Sequence, residues 1–222
     1  MKEDLVGILW KGLVETLYMT SLSTVAAMAL GLPLGILLAV TEKGQPLEMP
    51  GLNRVLSTVI NIVRSFPFII LIVVLLPLSR LIVGTTLGST AAVVPLAIGS
   101  APFLARIIEN ALKEVGAGKL EAAKAMGASP AEVIAKVLLP EALSSLIRGA
   151  TLSVITILGF TAVAGAIGAG GLGSLAIRYG YMRFREDVMF STVALLVLLV
   201  QLVQWVGDLW ARRVNRRRFR FE

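Results

Sequence analysis

The segment Lys119–Pro140 reads KLEAAKAMGASPAEVIAKVLLP and separates two apolar runs of the chain. Each of these runs, Leu87–Leu112 and Ala142–Gly168, exceeds the roughly 20 apolar residues that a helix needs to cross a bilayer core. The segment between them is charged and rich in helix-forming residues. It therefore predicts a helical docking element that a membrane protein exposes at one face of the bilayer.

The composition of the whole chain indicates an integral membrane protein. Hydrophobic residues make up 56% of the 222 residues, and the mean hydropathy is +0.85, far above that of average soluble domains. Five apolar windows are long enough to span: Leu17–Val40, Val55–Ser79, Leu87–Leu112, Ala142–Gly168 and Val188–Trp210. They lack the alternation of β-barrel strands. We predict an all-α membrane protein with five transmembrane helices in a single domain, residues 1–222. The first run is too long for a signal peptide and is expected to be retained.

The distribution of Lys and Arg predicts the orientation, because positively charged loops stay on the cytoplasmic side. The basic tail, residues 211–222, directly follows the last span. Its arginines are Arg212, Arg213, Arg216, Arg217, Arg218 and Arg220. With five spans, this tail and the connections 41–54 and 113–140 are cytoplasmic, and the amino terminus is outside. The chain is thus expected to be a multi-pass protein of a bacterial cytoplasmic membrane, whose tail contacts the lipid bilayer and not nucleic acid.

The first half of the docking segment predicts a short helix over Lys119–Met126. These residues are strong helix formers, and Gly127 suits the left-handed residue that ends a helix. Ala122 and Ala123 have small side chains, so a partner surface could approach the backbone of this helix closely. Glu121 lies in the first turn, where it also favours the positive end of the helix dipole.

The second half predicts another helix that begins after Ser129. Ser129, then proline and then Glu132 form the pattern of a capping box with proline at the first helical position. This helix is expected to run to about Leu139, before Pro140 ends or kinks it. On these residues alone, two ordinary amphipathic helices at the membrane surface remain an equal alternative.

The order of residues in this segment resembles the EAA loop of permease subunits of binding-protein-dependent ABC importers. The matching residues are Glu121-Ala122-Ala123, Gly127 after three residues, and Val137-Leu138-Leu139-Pro140 after nine more, with Val137 where isoleucine is usual. The resemblance implies the type I permease fold, in which the first short helix is a coupling helix seated in a cleft of a separate ATPase subunit. The implied coupling residues are Lys119, Glu121, Ala122, Ala123, Met126, Gly127 and Pro140.

Longer motifs resemble the permeases of methionine importers more narrowly. They are Arg64–Ile70, Arg80–Thr86, Gly168–Gly173 and Ile177–Tyr181. This resemblance covers nearly the whole chain and implies import of methionine, in both L- and D-forms, by a homodimer of the chain. Its implied partners are two copies of a cytoplasmic ATPase subunit and an extracytoplasmic solute-binding protein. Permeases for glycine betaine and polar amino acids share parts of the pattern, so another small amino acid or glycine betaine stays open as the substrate.

A glycine-rich stretch follows the fourth apolar window. Gly168, Gly170 and Gly173 have the spacing of a dinucleotide-binding motif, but that motif needs a preceding strand and a βαβ unit. Together with Gly171, these glycines are instead predicted to give backbone freedom near the outer mouth, at an outer gate or a contact with the binding protein. A plain flexible turn is the alternative.

The placement of charges bears on the energy source. An ion-driven carrier usually places ionisable groups at mid-membrane, and no Asp or Glu lies centrally in the five windows. The sequence has no phosphate-binding loop, so the chain is not expected to be an enzyme or to bind a cofactor, and ATP and Mg are expected on the partner ATPase. Two other hypotheses remain: a secondary carrier or channel that transports alone under an ion gradient, and a scaffold without solute flux.

Overall fold

The computed structural model describes residues 5–218, which are helical apart from short turns and connections. The helices are α1 Leu5–Val40, α2 Pro50–Ser65, α3 Phe68–Val83, α4 Ser89–Lys113, α5 Ala117–Ala125, α6 Pro130–Glu132, α7 Leu139–Ala166, α8 Gly171–Leu175 and α9 Glu186–Arg218. A π-helical turn, Val133–Leu138, joins α6 to α7, and a second one, Ala176–Tyr181, follows α8. The all-α prediction is confirmed. The amino terminus, residues 1–4, and the last part of the basic tail, residues 219–222, lie outside the described residues.

The number of helices that could span a membrane agrees with the prediction of five. Over residues 5–218, four helical segments have the required length and composition, or up to five if α2 and α3 together form one span. At 1.5 Å per residue, the 36 residues of α1 measure about 54 Å, well beyond a bilayer core of about 30 Å. Some helices therefore continue outside the membrane.

The second predicted span, Val55–Ser79, is not one helix. It is divided between α2 and α3, which are bent by 105°. The break lies at Pro67, the residue before α3, which has extended backbone angles of φ −56° and ψ 130°. Proline disfavours the helical conformation in the residue before it, here Phe66. A kink at Pro67 is expected from the sequence, because proline bends or breaks a helix. The size of the bend is not, because hydropathy reports the length of a span and not its direction.

The helix that contains the first predicted span begins earlier than that span. The span is predicted at Leu17–Val40, with Glu15 before it, whereas α1 already includes Leu5. Lys11 and Glu15 are its charged residues before that point, and two isolated charges do not end a helix that is otherwise apolar. Glu15 therefore lies inside α1, in a position to contact other helices.

The described chain forms two compact units. The first unit takes residues 5–27, 66–100 and 153–204, and the second takes 28–65, 101–152 and 205–218. In the first unit, Met19, Ile72 and Leu96 are among the buried core residues, and the rings of Phe68 and Phe160 stack with their centroids 3.6 Å apart.

The second unit is built on a close approach of α1 to α4. Leu38, Ile60 and Ala105 form its buried core. A Cβ atom added to Gly35 would lie 2.6 Å from the carbonyl oxygen of Ala105, and Gly31 lies one turn earlier on the same side of α1. This Gly-xxx-Gly spacing lets the two backbones come together, as small residues do at helix interfaces in membranes.

Candidate functional site

Helix α5 occupies the place of the predicted coupling helix. It runs over Ala117–Ala125, so it starts two residues before the predicted Lys119. Leu120 and Ala123 are buried against the rest of the second unit, which fixes the helix in place. The remaining predicted coupling residues on this segment are exposed: Lys119, Glu121, Ala122, Met126 and Gly127. The Met126 side chain is 82% exposed, and exposed methionine is enriched at protein interfaces.

The end of α5 is fixed by a left-handed glycine, as predicted. Gly127 has φ +81°, and its N–H donates to the Lys124 carbonyl at 3.0 Å while the Ala128 N–H donates to the Ala123 carbonyl at 3.1 Å. These two bonds form a Schellman motif, which satisfies the last carbonyls of the helix. No atom would lie within 4 Å of a Cβ added at Gly127. The space next to this glycine is therefore open to a partner.

The predicted capping box is present at Ser129. Its Oγ accepts a hydrogen bond from the Glu132 N–H at 3.4 Å, and Glu132 Oε2 accepts one from the Ser129 N–H at 3.0 Å. Glu132 also pairs with Lys136 at 2.9 Å. This ion pair and the hydrogen bonds from the Ser129 backbone and hydroxyl lower the pKa of Glu132 to about 2. Glu132 lies in the predicted cytoplasmic connection, where the cap stays ionised at neutral pH.

The helix that starts at this cap does not end at Pro140. It continues through the π-helical turn Val133–Leu138 into α7. In a regular α-helix, the ring of Pro140 would clash with the carbonyl four residues earlier, and the proline has no N–H to donate. The wider turn places the Leu139 N–H on the Ile134 carbonyl, five residues back, and so absorbs the irregularity. Pro140 is exposed in the first turn of α7.

Two lysines attach α5 to two different parts of the second unit. Lys119 Nζ lies 2.5 Å from Glu141 Oε2, at the start of α7. Lys124 Nζ donates to the carbonyl oxygen of Gly44 at 3.3 Å, in the connection between α1 and α2. Helix α5 is therefore in contact with both of these elements.

A charge network around the buried carboxylate of Glu109 lies on α4 and was not predicted as part of the site. Glu109 is only 3% exposed and pairs with Arg106 at 2.6 Å and with Lys113 at 2.8 Å. Arg106 also donates to the Ser57 carbonyl and to Asn61 Oδ1, both on α2. The three residues lie three or four positions apart along α4, a spacing that brings side chains together on one helix face. That spacing was the available signal in the sequence.

The predicted outer glycines lie at a tight turn in the first unit. Gly168, Gly170 and Gly171 have positive φ angles of +99°, +85° and +78°. Gly168 is exposed, whereas Gly171 and Gly173 are buried. The structure thus brings these glycines together, and the buried ones face neighbouring helices of the same unit.

Two residues of α1 that the sequence did not single out hold this turn. Glu15 Oε2 accepts a hydrogen bond from the Gly171 N–H at 2.7 Å, and Thr16 Oγ accepts one from the Leu172 N–H at 2.9 Å. Both acceptors satisfy the free N–H groups at the start of α8. Gly170 adopts φ +85° and ψ −159°, a conformation that only glycine adopts without strain.

A multi-pass helical membrane protein with an exposed short helix between two apolar helices is the class that these features define. The chain belongs to the family of binding-protein-dependent transport system inner membrane components, whose sequence profile matches residues 31–220.

The comparison with individual proteins is consistent with this family. The chain is 49% identical over 203 residues to the probable D-methionine transport system permease protein MetI of Vibrio cholerae, covering 91% of this chain and 90% of that protein. It is 46% identical to the methionine import system permease protein MetP of Bacillus subtilis, covering 94% of each. A solved inward-facing structure of the MetNI methionine ABC transporter superposes with a TM-score of 0.93 at 48% identity, over 96% of this chain and 99% of that one.

Proposed function

We propose that this chain is the membrane-spanning subunit of an ABC importer that carries methionine into the cytoplasm. The observation that carries the proposal is similarity over nearly the full length, at 46–49% identity, to permeases named for methionine transport in two distant bacteria. These similarities favour methionine over another small amino acid or glycine betaine, and an ABC importer over an ion-driven carrier. The permease has no ATPase activity of its own, and ATP and Mg²⁺ bind to a separate subunit.

The exposed surface of α5 is suited to receive that ATPase. It exposes the carboxylate of Glu121 in the middle of one short helix, and the apolar side chain of Met126 and the open space at Gly127 directly after its end. Buried Leu120 and Ala123 hold the opposite side. In the proposed mechanism, two copies of the chain form a transport pathway at their interface, and each copy binds one ATPase subunit through α5. Closure of the ATPases then turns the permeases from inward- to outward-facing, and a binding protein delivers methionine from outside.

The transport proposal is tested by reconstitution in liposomes. The chain is copurified with a candidate ATPase subunit, and uptake of labelled methionine is measured with and without ATP and a methionine-binding protein. We expect uptake only when all components are present, with labelled glycine betaine as the control solute. Uptake by the chain alone under a sodium or proton gradient would instead establish the carrier hypothesis.

We also propose that the amino terminus is outside and that the connections 41–54 and 113–140 are cytoplasmic. The support is the excess of Lys and Arg in these segments. The chain has no native cysteine, so single cysteines report accessibility without background. Cysteines at exposed positions 48 and 125 are expected to be protected from an impermeant thiol reagent added to intact cells, whereas a cysteine at Met182, in the connection before α9, is expected to react. Labelling of position 48 or 125 would overturn this orientation.

A further inference from the structure

The connection between α1 and α2, residues 41–49, is held in one conformation by its own hydrogen bonds. The Leu47 N–H donates to the Val40 carbonyl at 3.0 Å, and the Met49 N–H donates to the Thr41 carbonyl at 2.9 Å. The Gly44 N–H donates to Glu48 Oε2 at 2.9 Å. We call this connection the inner loop. Because so many of its backbone groups are paired, a force applied at one point is passed to the rest of the loop.

The inner loop is also tied to both helices that it joins. Asn53, in the first turn of α2, donates from Nδ2 to the Leu38 carbonyl at 2.7 Å and to Thr41 Oγ at 3.1 Å. The Leu38 carbonyl lies in the last turn of α1, where helix carbonyls lack partners within the helix. This amide thus fixes the end of α1 against the beginning of α2.

An ion pair ties the inner loop to the charge network around Glu109 on α4. Glu42 Oε2 lies 2.7 Å from Lys113 Nζ, and Lys113 also pairs with buried Glu109. A buried carboxylate is strongly destabilising when one of its partners is lost, so the network favours a single register of α4. Through Arg106 the same network reaches α2. The inner loop and the parts of α1, α2 and α4 in the second unit are therefore connected by a continuous set of polar contacts.

Helix α5 contacts this connected set through its last turn. Its last turn carries Lys124, which donates to the Gly44 carbonyl, whereas its first turn carries Lys119, which pairs with Glu141 of α7. The two lysines are five residues apart, about 7.5 Å along the helix axis. Each end of α5 is thus bound to a different part of the second unit.

We propose that the inner loop is a second coupling contact, through which Lys124 and the Gly44 carbonyl pass the movement of α5 to α1, α2 and α4. Lys124, Glu42 and Lys113 are positioning residues in this proposal, because they act on the helices and do not touch the solute. The inference rests on the proposed function, in which the ATPase moves α5. It assigns a role to the α1–α2 connection, in addition to the contact of α5 with α7.

The test is the number of ATP molecules hydrolysed per methionine imported, measured for Lys124→Ala in the full reconstituted complex. We expect this ratio to rise about threefold, the scale of losing one exposed charged contact that couples two sites, while the yield of assembled complex stays unchanged. The matched control is Lys136→Ala, which removes an equally exposed lysine whose ion pair is with Glu132. If Lys124 has a purely structural role, its replacement lowers the yield of assembled complex, or lowers the rates of ATP hydrolysis and methionine uptake equally. The number of ATP molecules hydrolysed per methionine then stays constant.

A cross-link provides a second, independent readout. In the variant Gln45→Cys, Lys124→Cys, a short bifunctional thiol reagent can join the inner loop to α5 in place of the lost hydrogen bond, since no other cysteine is present. Before cross-linking, we expect the double variant to hydrolyse more ATP per imported methionine than the unchanged protein. After cross-linking, we expect the ratio to return to that of the unchanged protein. An unchanged ratio in Lys124→Ala, failure of the two cysteines to cross-link, or arrest of transport by the cross-link would overturn the inference. If the unchanged complex shows no ATP-dependent uptake at all, the proposed function itself fails.

Discussion

Replacement of Gly173 by alanine is expected to destabilise the first unit by about 1–3 kcal/mol, the usual cost of overpacking a core. Gly173 is buried in α8, and the Cβ of an alanine would overlap the backbone of Ala162 on α7. A backbone obstacle cannot rotate away as a side chain can, so one of the two helices has to shift. The measurement is the temperature at which half of the detergent-solubilised protein still elutes as folded in gel filtration.

The matched control for this substitution is Gly159→Ala on α7. Gly159 is exposed, and a Cβ there would meet no atom within 4 Å. Alanine favours a helix over glycine by up to about 1 kcal/mol, so this variant is expected to melt at or slightly above the temperature of the unchanged protein. Equal melting of the Gly173→Ala variant would show that α7 and α8 do not pack backbone to backbone.

Local features of the sequence predicted local structure well. Gly127 is predicted in the left-handed conformation and has φ +81°. This prediction was possible because the residues adjacent to a helix end determine how the helix terminates. The capping box at Ser129 was predicted for the same reason. Both features depend on neighbours within four positions, which a single sequence displays directly.

Features that depend on distant residues could not be predicted in this way. The Gly171 N–H is satisfied by Glu15, a residue 156 positions earlier, and nothing near Glu15 in the sequence points to that contact. The demand for glycine at position 173 likewise comes from the backbone of α7. A kink at Pro67 follows from the proline itself, but its angle of 105° does not, because an apolar run predicts burial in lipid without fixing the direction of the helix.

Replacement of Glu121 by lysine is expected to reduce ATP-driven methionine uptake by at least about tenfold. Glu121 is an exposed acidic residue in the middle of α5, whereas Met126 and Gly127 follow its last residue. In the proposed complex this surface is covered by the ATPase. Reversal of a charge inside an interface places like charges together or leaves a partner cation unpaired, at a cost of about 2–5 kcal/mol. The measurements are the yield of copurified ATPase and the uptake of labelled methionine by the purified complex.

Arg54→Glu is the matched control, because it also reverses a charge on an exposed side chain, in α2 and outside the docking segment. It is expected to preserve both copurification and uptake.

The substitution at Glu121 does not disturb the buried contacts of Leu120 and Ala123, so membrane insertion and the melting temperature of the permease alone are expected to stay unchanged. Loss of uptake together with a lower melting temperature of the permease would mean that Glu121 stabilises the fold. Full uptake by Glu121→Lys would contradict the proposal that α5 binds the ATPase. If less ATPase copurifies while the stability of the permease is unchanged, Glu121 is part of the surface that binds the ATPase, because its carboxylate then contributes to binding and not to the fold of its own chain.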